Sequence, residues 1–335
     1  MLKVGLIGCG GIGSLHAECW LAMGGRVKLA AIADITDGNA DKFAEKSGAK
    51  VYKTGMELIE DADVDIIDIC LPTYLHTEHA VKAMEVCKNV FIEKPICLNE
   101  REAKLLLDTQ AKTGARIQVG QVIRFWDEYV WLKKAIDNND YGKVVSAGFT
   151  RLSENPVWSW NNWYNDPDLS GTMALDLHVH DVDFIRYMMG GEPDRVMSAA
   201  TRNDKGVIQH IHTIYTYGSA VITSEGCWDL PHGYPFTMIF RAKLEKATVE
   251  FDTEGKLTVY LHTGEKFNPE LKKAFQAESE AGINVSDLGA YYNELVYFVD
   301  TVEGKETAEI APLSEAIKSA ELAWKEIGIA GGKVI

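Results

Sequence analysis

The sequence predicts a two-part α/β protein: an N-terminal Rossmann-type dinucleotide-binding domain on a parallel sheet, then a domain built on a large, mainly antiparallel sheet. Three observations carry this. The first 121 residues alternate short apolar strands with helical stretches, which calls for parallel strands joined by right-handed crossovers. Beyond residue 144, long alternating stretches follow one another with one long helix among them, the pattern of antiparallel pairing. The chain has 335 residues, enough for two domains of roughly 100–200 residues each.

The elements follow in order. Val4–Gly8 is a short apolar strand. Ile12, Leu15, His16, Cys19, Trp20 and Met23 recur at helical spacing and predict a helix over 12–23. Val27–Asp34 is the second strand, and a helix over 38–47 stops at Gly48. Asp65–Leu71 is an apolar strand halted by Pro72, and Thr77 is expected to cap a helix running to Cys87. Asn89–Glu93 returns as a strand, Asn99 caps a helix to Thr113, and Gly114 leads into the strand Arg116–Gly120. The boundary is expected here, giving an NAD-binding domain over 1–121 and a substrate-binding and oligomerisation domain over 122–335. The second opens with a helix near 126–137. Strands are expected at 144–153, 196–201, 207–217, 220–227, 236–241, 247–251 and 257–261. One helix over about 171–189 interrupts them, and helices near 288–303 and 314–327 close the chain.

Charge narrows the function. With 34 basic and 49 acidic residues the net charge is −15, the wrong sign for nucleic acid or an anionic membrane surface. No apolar run approaches the roughly 20 residues of a membrane span. The N-terminus reads as a strand rather than a signal peptide, and six cysteines without a C-x-x-C pair read as buried thiols of a reducing compartment, so a cytoplasmic protein is expected.

Gly8-Cys9-Gly10-Gly11-Ile12-Gly13 is a G-x-G-x-x-G loop between a strand and a helix. The first glycine permits the tight turn, the second admits a pyrophosphate, and the third lets helix and strand pack closely. The helix N-terminus adds free N–H groups and a partial positive charge. Asp34 ends the second strand 21 residues after Gly13, where a carboxylate accepts hydrogen bonds from ribose hydroxyls. A 2′-phosphate would be repelled there, and no arginine follows, so NAD is favoured over NADP.

Lys94 follows a strand at the sheet edge where ligands bind, and Pro95 restricts its backbone. Asp176 and His180 stand four apart on one expected helix face. A histidine is suited to accept a hydroxyl proton, Asp176 to orient the imidazole, and Lys94 to stabilise a developing alkoxide.

The glycine loop, Pro72-Thr73-Tyr74-Leu75-His76, Val90-Phe91-Ile92-Glu93-Lys94-Pro95, Gly120 with Arg124-Phe125, and 171–181 together resemble the Gfo/Idh/MocA oxidoreductases over nearly the whole chain. The resemblance implies an NAD-dependent dehydrogenase acting on a secondary alcohol of a sugar or cyclitol, with an inositol 2-dehydrogenase-like activity as one candidate. It implies that Lys94 sits beside the nicotinamide and the reacting alcohol, that Asp176 and His180 form the D-x-x-x-H pair, and that Leu71, Pro72, Thr73, His76 and Glu93 line the cofactor. Two alternatives stay open: a glycoside-processing enzyme that oxidises its substrate transiently, and a cofactor-sensing regulator on the same fold.

Other polar residues are candidates for substrate or metal contacts. His178 stands where many relatives carry a small residue and is expected to contact substrate. A metal shared by His178 and His180 is disfavoured because residues two apart on a helix do not share a face, and no metal is expected. His76-x-x-His79 opens a helix near the cofactor, and His210-Ile211-His212 reads as sheet surface or subunit contact. Residues 155–165 hold three tryptophans and four asparagines, which suits a polyhydroxylated neutral ligand, with Trp158 and Trp163 as ring-stacking candidates, or else a loop that anchors the core or a subunit contact. Arg124 is a candidate for an anionic substrate group, and equally for a structural or cofactor-adjacent role. The strand over 207–217, on a sheet with few helices to cover it, leads us to expect a homodimer or homotetramer.

Overall fold

The structure, a computed structural model, describes residues 1–87, 89–271, 275, 288–306 and 310–332. The chain divides into two compact units, Met1–Phe125 with Lys273–Ile317, and Trp126–Lys272 with Lys318–Ile335. The first crossing falls close to the expected boundary. The return of 273–317 to the first unit was not expected, because sequence periodicity does not say which sheet a helix packs on.

The first unit contains β1 (Leu2–Ile7), α1 (Gly11–Ala22), β2 (Val27–Ala33), α2 (Asp41–Ser47), β3 (Lys50–Tyr52), α3 (Gly55–Asp61), β4 (Ile66–Ile69), α4 (His76–Val86), β5 (Asn89–Glu93), α5 (Glu100–Thr113) and β6 (Arg116–Gly120). Its strands form one parallel sheet in the order β3-β2-β1-β4-β5-β6, with the switch point between β1 and β4. β3 and α3 lie outside the expected elements. β3 is three residues long, too short to show a period, but α3 carries a readable start signal in the Thr54–Glu57 capping box. α4 starts at His76 with no side-chain cap, so Thr77 lies inside the helix. Asn99 caps α5 as expected, accepting from the Glu102 N–H at 3.1 Å.

The second unit contains α6 (Asp127–Asp137), β7 (Val144–Glu154), α7 (Pro167–Ser170), α8 (Thr172–Asp176) and α9 (Val179–Met189). Next come β8 (Arg195–Arg202), β9 (Ile208–Tyr217), β10 (Ala220–Leu230), β11 (Thr237–Leu244), β12 (Ala247–Phe251), β13 (Leu257–Leu261) and β14 (Lys266–Phe267). The eight strands form one sheet in the order β14-β13-β12-β11-β7-β10-β9-β8, antiparallel except for β7 beside β10. Tyr129, Phe149, Phe184 and Phe240 cluster on its covered face, with Tyr129 and Phe184 edge-to-face at a centroid distance of 4.7 Å. Met197, Ile214 and Val221 are exposed on β8, β9 and β10.

The single helix expected over 171–189 is two helices, α8 and α9, with α7 just before them. Gly171 (φ 71°) and Thr172 (φ 61°) take left-handed conformations that end α7. Leu177 and His178 both donate their N–H to the Met173 carbonyl, at 3.0 Å each, so the turn widens between α8 and α9. Two helices complete the chain: α10 (Gly289–Val302), which packs on α1 in the first unit, and α11 (Leu313–Ile329), within which the second crossing falls. Among the described residues, no helix is long and apolar enough to cross a membrane.

Candidate active site

The glycine loop joins β1 to α1 at the switch point. Gly8 has φ 89°, and a Cβ on Gly8 or Gly13 would run into backbone oxygens of Cys70 and Gly8 respectively. Gly10 faces open space within 4 Å, and as the α1 N-cap it carries no side chain to occupy the helix terminus. The first N–H groups of α1, at Gly11, Ile12 and Gly13, are therefore available to an anion. Asp34 Oδ2 accepts the Cys9 N–H at 2.7 Å, and Oδ1 accepts the Thr36 N–H at 2.7 Å. The carboxylate and the loop are thus one rigid piece, which fits the ribose and pyrophosphate of a dinucleotide. Cys9 lies inside this piece as a buried thiol pushed up to about 12 by burial and the Asp34 charge, which rules it out as a nucleophile at neutral pH.

β5 ends at Glu93, and Lys94 follows, half-buried, before a cis peptide bond to Pro95. Glu93 Oε2 accepts the Lys94 backbone N–H at 3.2 Å. Pro95 is tied to the preceding loop by His76, whose Nδ1 lies 2.8 Å from the Pro95 carbonyl and whose Nε2 lies 2.7 Å from the Leu71 carbonyl. Burial holds His76 down to about 4 against the pull of its two carbonyl neighbours, and the neutral ring can donate to only one of them. Thr73 and His76, expected to line the cofactor, are both 1% exposed. Leu71 and Pro72 are half-buried on that turn.

In the second unit, Asp176 ends α8, buried, and His180 stands half-buried in the first turn of α9. The break at 177–178 separates them, so they do not share the uninterrupted helix face that sequence spacing implied. His178 is corrected from a substrate contact to a core residue. It is fully buried, its Nε2 is 2.7 Å from Glu326 Oε2, and it fills a slot that a Cβ at Gly226 would close. Glu326 also accepts from Thr213 Oγ1 at 3.0 Å and Tyr215 OH at 2.7 Å. Beside it, Arg151 grips Asp181 with two bonds of 2.8 and 3.1 Å.

Of the readings open for Arg124, its surroundings favour the structural one. It is buried and donates to the Ile310 carbonyl, a structural tie in the first unit rather than a receptor for a substrate anion. Trp158 is exposed and Trp163 half-exposed, and Tyr164 stacks on Trp163 with centroids 4.2 Å apart. Asn161 and Asn162, at φ 48° and 54°, turn this loop. His210 Nε2 sits 2.9 Å from Glu225 Oε1 on the neighbouring strand, a cross-strand pair.

Sequence reading missed a buried polar cluster next to Glu93. His16 Nδ1 is 2.9 Å from Asp68 Oδ2, which also accepts from Trp20 Nε1 at 2.7 Å. His16 Nε2 lies 3.2 Å from Glu93 Oε1, and Glu294 closes the group with neither carboxylate oxygen hydrogen-bonded. The signal was a charged residue, Asp68, in the apolar strand β4 and a histidine on the apolar face of α1.

Residues 2–121 match the oxidoreductase family with an NAD-binding Rossmann fold, GFO/IDH/MocA, and residues 129–251 match the GFO/IDH/MocA C-terminal domain. The chain is 33% identical over 198 residues to the myo-inositol 2-dehydrogenase of Thermotoga maritima, covering 59% of this chain and 58% of that one. It is 31% identical over 193 residues to the scyllo-inositol 2-dehydrogenase (NAD(+)) of Bacillus subtilis, covering 57% and 55%. The chain thus aligns with rather more than half the length of these curated relatives. An inositol 2-dehydrogenase of Rhizobium meliloti is 26% identical over 321 residues, 93% of this chain and 91% of that one. In fold, the chain is similar to a levoglucosan dehydrogenase solved with NADH and levoglucosan, with a TM-score of 0.83, 20% identity and 98% and 97% coverage. Matched in both its domains, the chain belongs to the GFO/IDH/MocA oxidoreductase family.

Proposed function

We propose that this protein is an NAD-dependent dehydrogenase that moves a hydride between NAD and a secondary alcohol of a sugar or cyclitol, with inositol as one candidate. The observation that carries the reading is the joint made by Asp34 and the glycine loop. With the Cys9 and Thr36 N–H groups and the Asn39 amide on its oxygens, Asp34 keeps an acceptor position for a ribose hydroxyl, and its negative charge opposes a 2′-phosphate, which favours NAD over NADP. The names of the relatives supply the substrate class.

When bound, NAD supplies the hydride acceptor. The chain's own residues are assigned the proton and the charge. His180 takes the hydroxyl proton as the carbinol hydrogen leaves, Asp176 orients the imidazole, and Lys94 stabilises the oxygen as negative charge builds on it. Trp158 and Trp163 offer faces for the C–H side of a ring. We read the protein as cytoplasmic and as a homodimer or homotetramer, with the sheet surface bearing Met197, Ile214 and Val221 as the contact. Light scattering that gives a monomer at micromolar concentration would remove the assembly reading. Reduction of NAD and NADP measured across a panel of inositols, aldoses and anhydrosugars tests the function. Turnover with NAD on at least one polyol is expected, and no reduction of either cofactor by any of them would refute it.

A further inference from the structure

We infer that His16 is a positioning residue for Lys94, acting through Glu93, with Asp68 fixing the imidazole from behind. The contacts form an unbroken line within the first unit. Trp20 Nε1 donates to Asp68 Oδ2 at 2.7 Å, and His16 Nδ1 shares that same oxygen at 2.9 Å. The other ring nitrogen, Nε2, lies 3.2 Å from Glu93 Oε1, an ion-pair distance without hydrogen-bond alignment. The second oxygen of Glu93 accepts the Lys94 backbone N–H at 3.2 Å. Glu93 has little freedom to leave this arrangement. It is 6% exposed, and its Oε1 sits where a Cβ on Gly120 would come within 2.5 Å.

Electrostatics explain why a histidine occupies this position. Asp68 and His16 are fully buried, and Asp68, Glu93 and Glu294 bring three carboxyl groups into one apolar interior. Burial opposes a charged His16, but the surrounding groups outweigh it and hold the imidazole well above its ordinary range. Of those groups Cys70, 3.2 Å from Nδ1, acts first and Asp68 second. A cation between two buried carboxylates restrains both, and the restraint on Glu93 passes to the backbone amide of the residue beside it. A core histidine with only a packing role would not require Nε2 to face a carboxylate whose other oxygen holds Lys94.

The inference rests on the reading of Lys94 given above, and its test has a readout independent of turnover. Competitive labelling of lysine amines, read by mass spectrometry, reports how the Lys94 side chain is held. In His16→Leu, which keeps volume but has no donor, the labelling rate of Lys94 is expected to change three- to tenfold. Lys28 and Lys104 serve as internal references and should label as before. His16→Gln keeps a donor and should stay within about threefold of the parent. Asp68→Asn, which retains both hydrogen-bond partners and removes the charge, should fall between them, and it serves if His16→Leu does not fold. Once a substrate is known, kcat should follow the labelling while KM moves less. Unchanged Lys94 labelling in His16→Leu, or in Asp68→Asn where only that variant folds, overturns the inference. So does equal loss in His16→Leu and His16→Gln. If Lys94→Ala keeps full turnover while His16→Leu alters the labelling, the assignment of Lys94 fails and the positioning link stands.

Discussion

Each unit buries a histidine against a carboxylate, and the two clusters are built to different standards. In the second unit, Glu326 receives His178, Thr213 and Tyr215 at 2.7–3.0 Å, and both its oxygens are satisfied. In the first unit, His16 is paired with Asp68, but its Nε2, Glu93 Oε1 and both oxygens of Glu294 lack hydrogen bonds although all are buried. A satisfied buried network stabilises a fold, whereas an incompletely satisfied one costs free energy and persists where something else requires it. The satisfied cluster fixes α9 against the sheet and α11. The unsatisfied one adjoins the glycine loop and the turn that bears Lys94. On this contrast, substitutions in the first cluster should be read in chemistry and those in the second in stability.

The largest expected effect is at the end of the first cluster. Lys94→Ala should lower turnover by about 10²–10⁴-fold, the range typical of groups that act on the transition state, with the NAD dissociation constant changed by less than about threefold. His180→Ala should give a similar loss. Turnover and NAD titration of each variant check this. Near-normal turnover in His180→Ala would leave Lys94 as the proton acceptor. The matching break in the second cluster is Glu326→Ala, which strands three buried partners. It should cost about 3–5 kcal/mol in urea unfolding, while the folded fraction binds NAD as before. A loss below about 1 kcal/mol would show that the second cluster is not the structural one.

Much of this was legible in the sequence, and for uneven reasons. Apolar runs and glycine stops located every strand of the first sheet but β3, and Asn89–Glu93 and Arg116–Gly120 came out residue for residue. Asp34 and the glycine loop could be put forward as cofactor contacts because that expectation depends only on spacing along the chain. His178 was misread and Arg124 left open because sequence shows that a residue is polar but not that a partner 148 or 186 positions away, Glu326 or Ile310, is waiting for it in the core. The turn between Asp176 and His180 was hidden for another reason. It depends on a left-handed Thr172 and a shared carbonyl at Met173, which no periodicity encodes.

A smaller effect separates the cofactor end from both clusters. Asp34→Ala removes the acceptor for two backbone N–H groups as well as for the ribose. NAD affinity should fall by about 1–3 kcal/mol, and the NAD/NADP preference should narrow. Fluorescence titration with both cofactors tests it, and equal affinity for the two in the parent protein would overturn the NAD assignment.

The smallest effect probes the first cluster at its most exposed weakness, Glu294. Burial, and after it the Glu93 charge, push this carboxyl well above its usual 4.5, with His16 pulling the other way and Asp68 adding to the rise. The folded protein therefore keeps a proton on Glu294 at pH values where the unfolded chain has released it. Wherever the native state binds more protons than the unfolded state, stability falls as pH rises. The contribution is neutral below about pH 4.5 and becomes increasingly unfavourable as pH climbs toward the folded value. Glu294→Gln has the shape of the protonated acid and no proton to lose, and its amide can donate to the unsatisfied Glu93 Oε1. Relative to the parent it should match near pH 4 and gain about 1 kcal/mol or more by pH 8, since one pKa unit corresponds to about 1.4 kcal/mol. Urea midpoints of the two proteins at both pH values decide it. A Gln variant that is less stable at pH 8 than at pH 4, relative to the parent, would mean that Glu294 is ionised in the fold, and the claim that the first cluster is incompletely satisfied would fall with it.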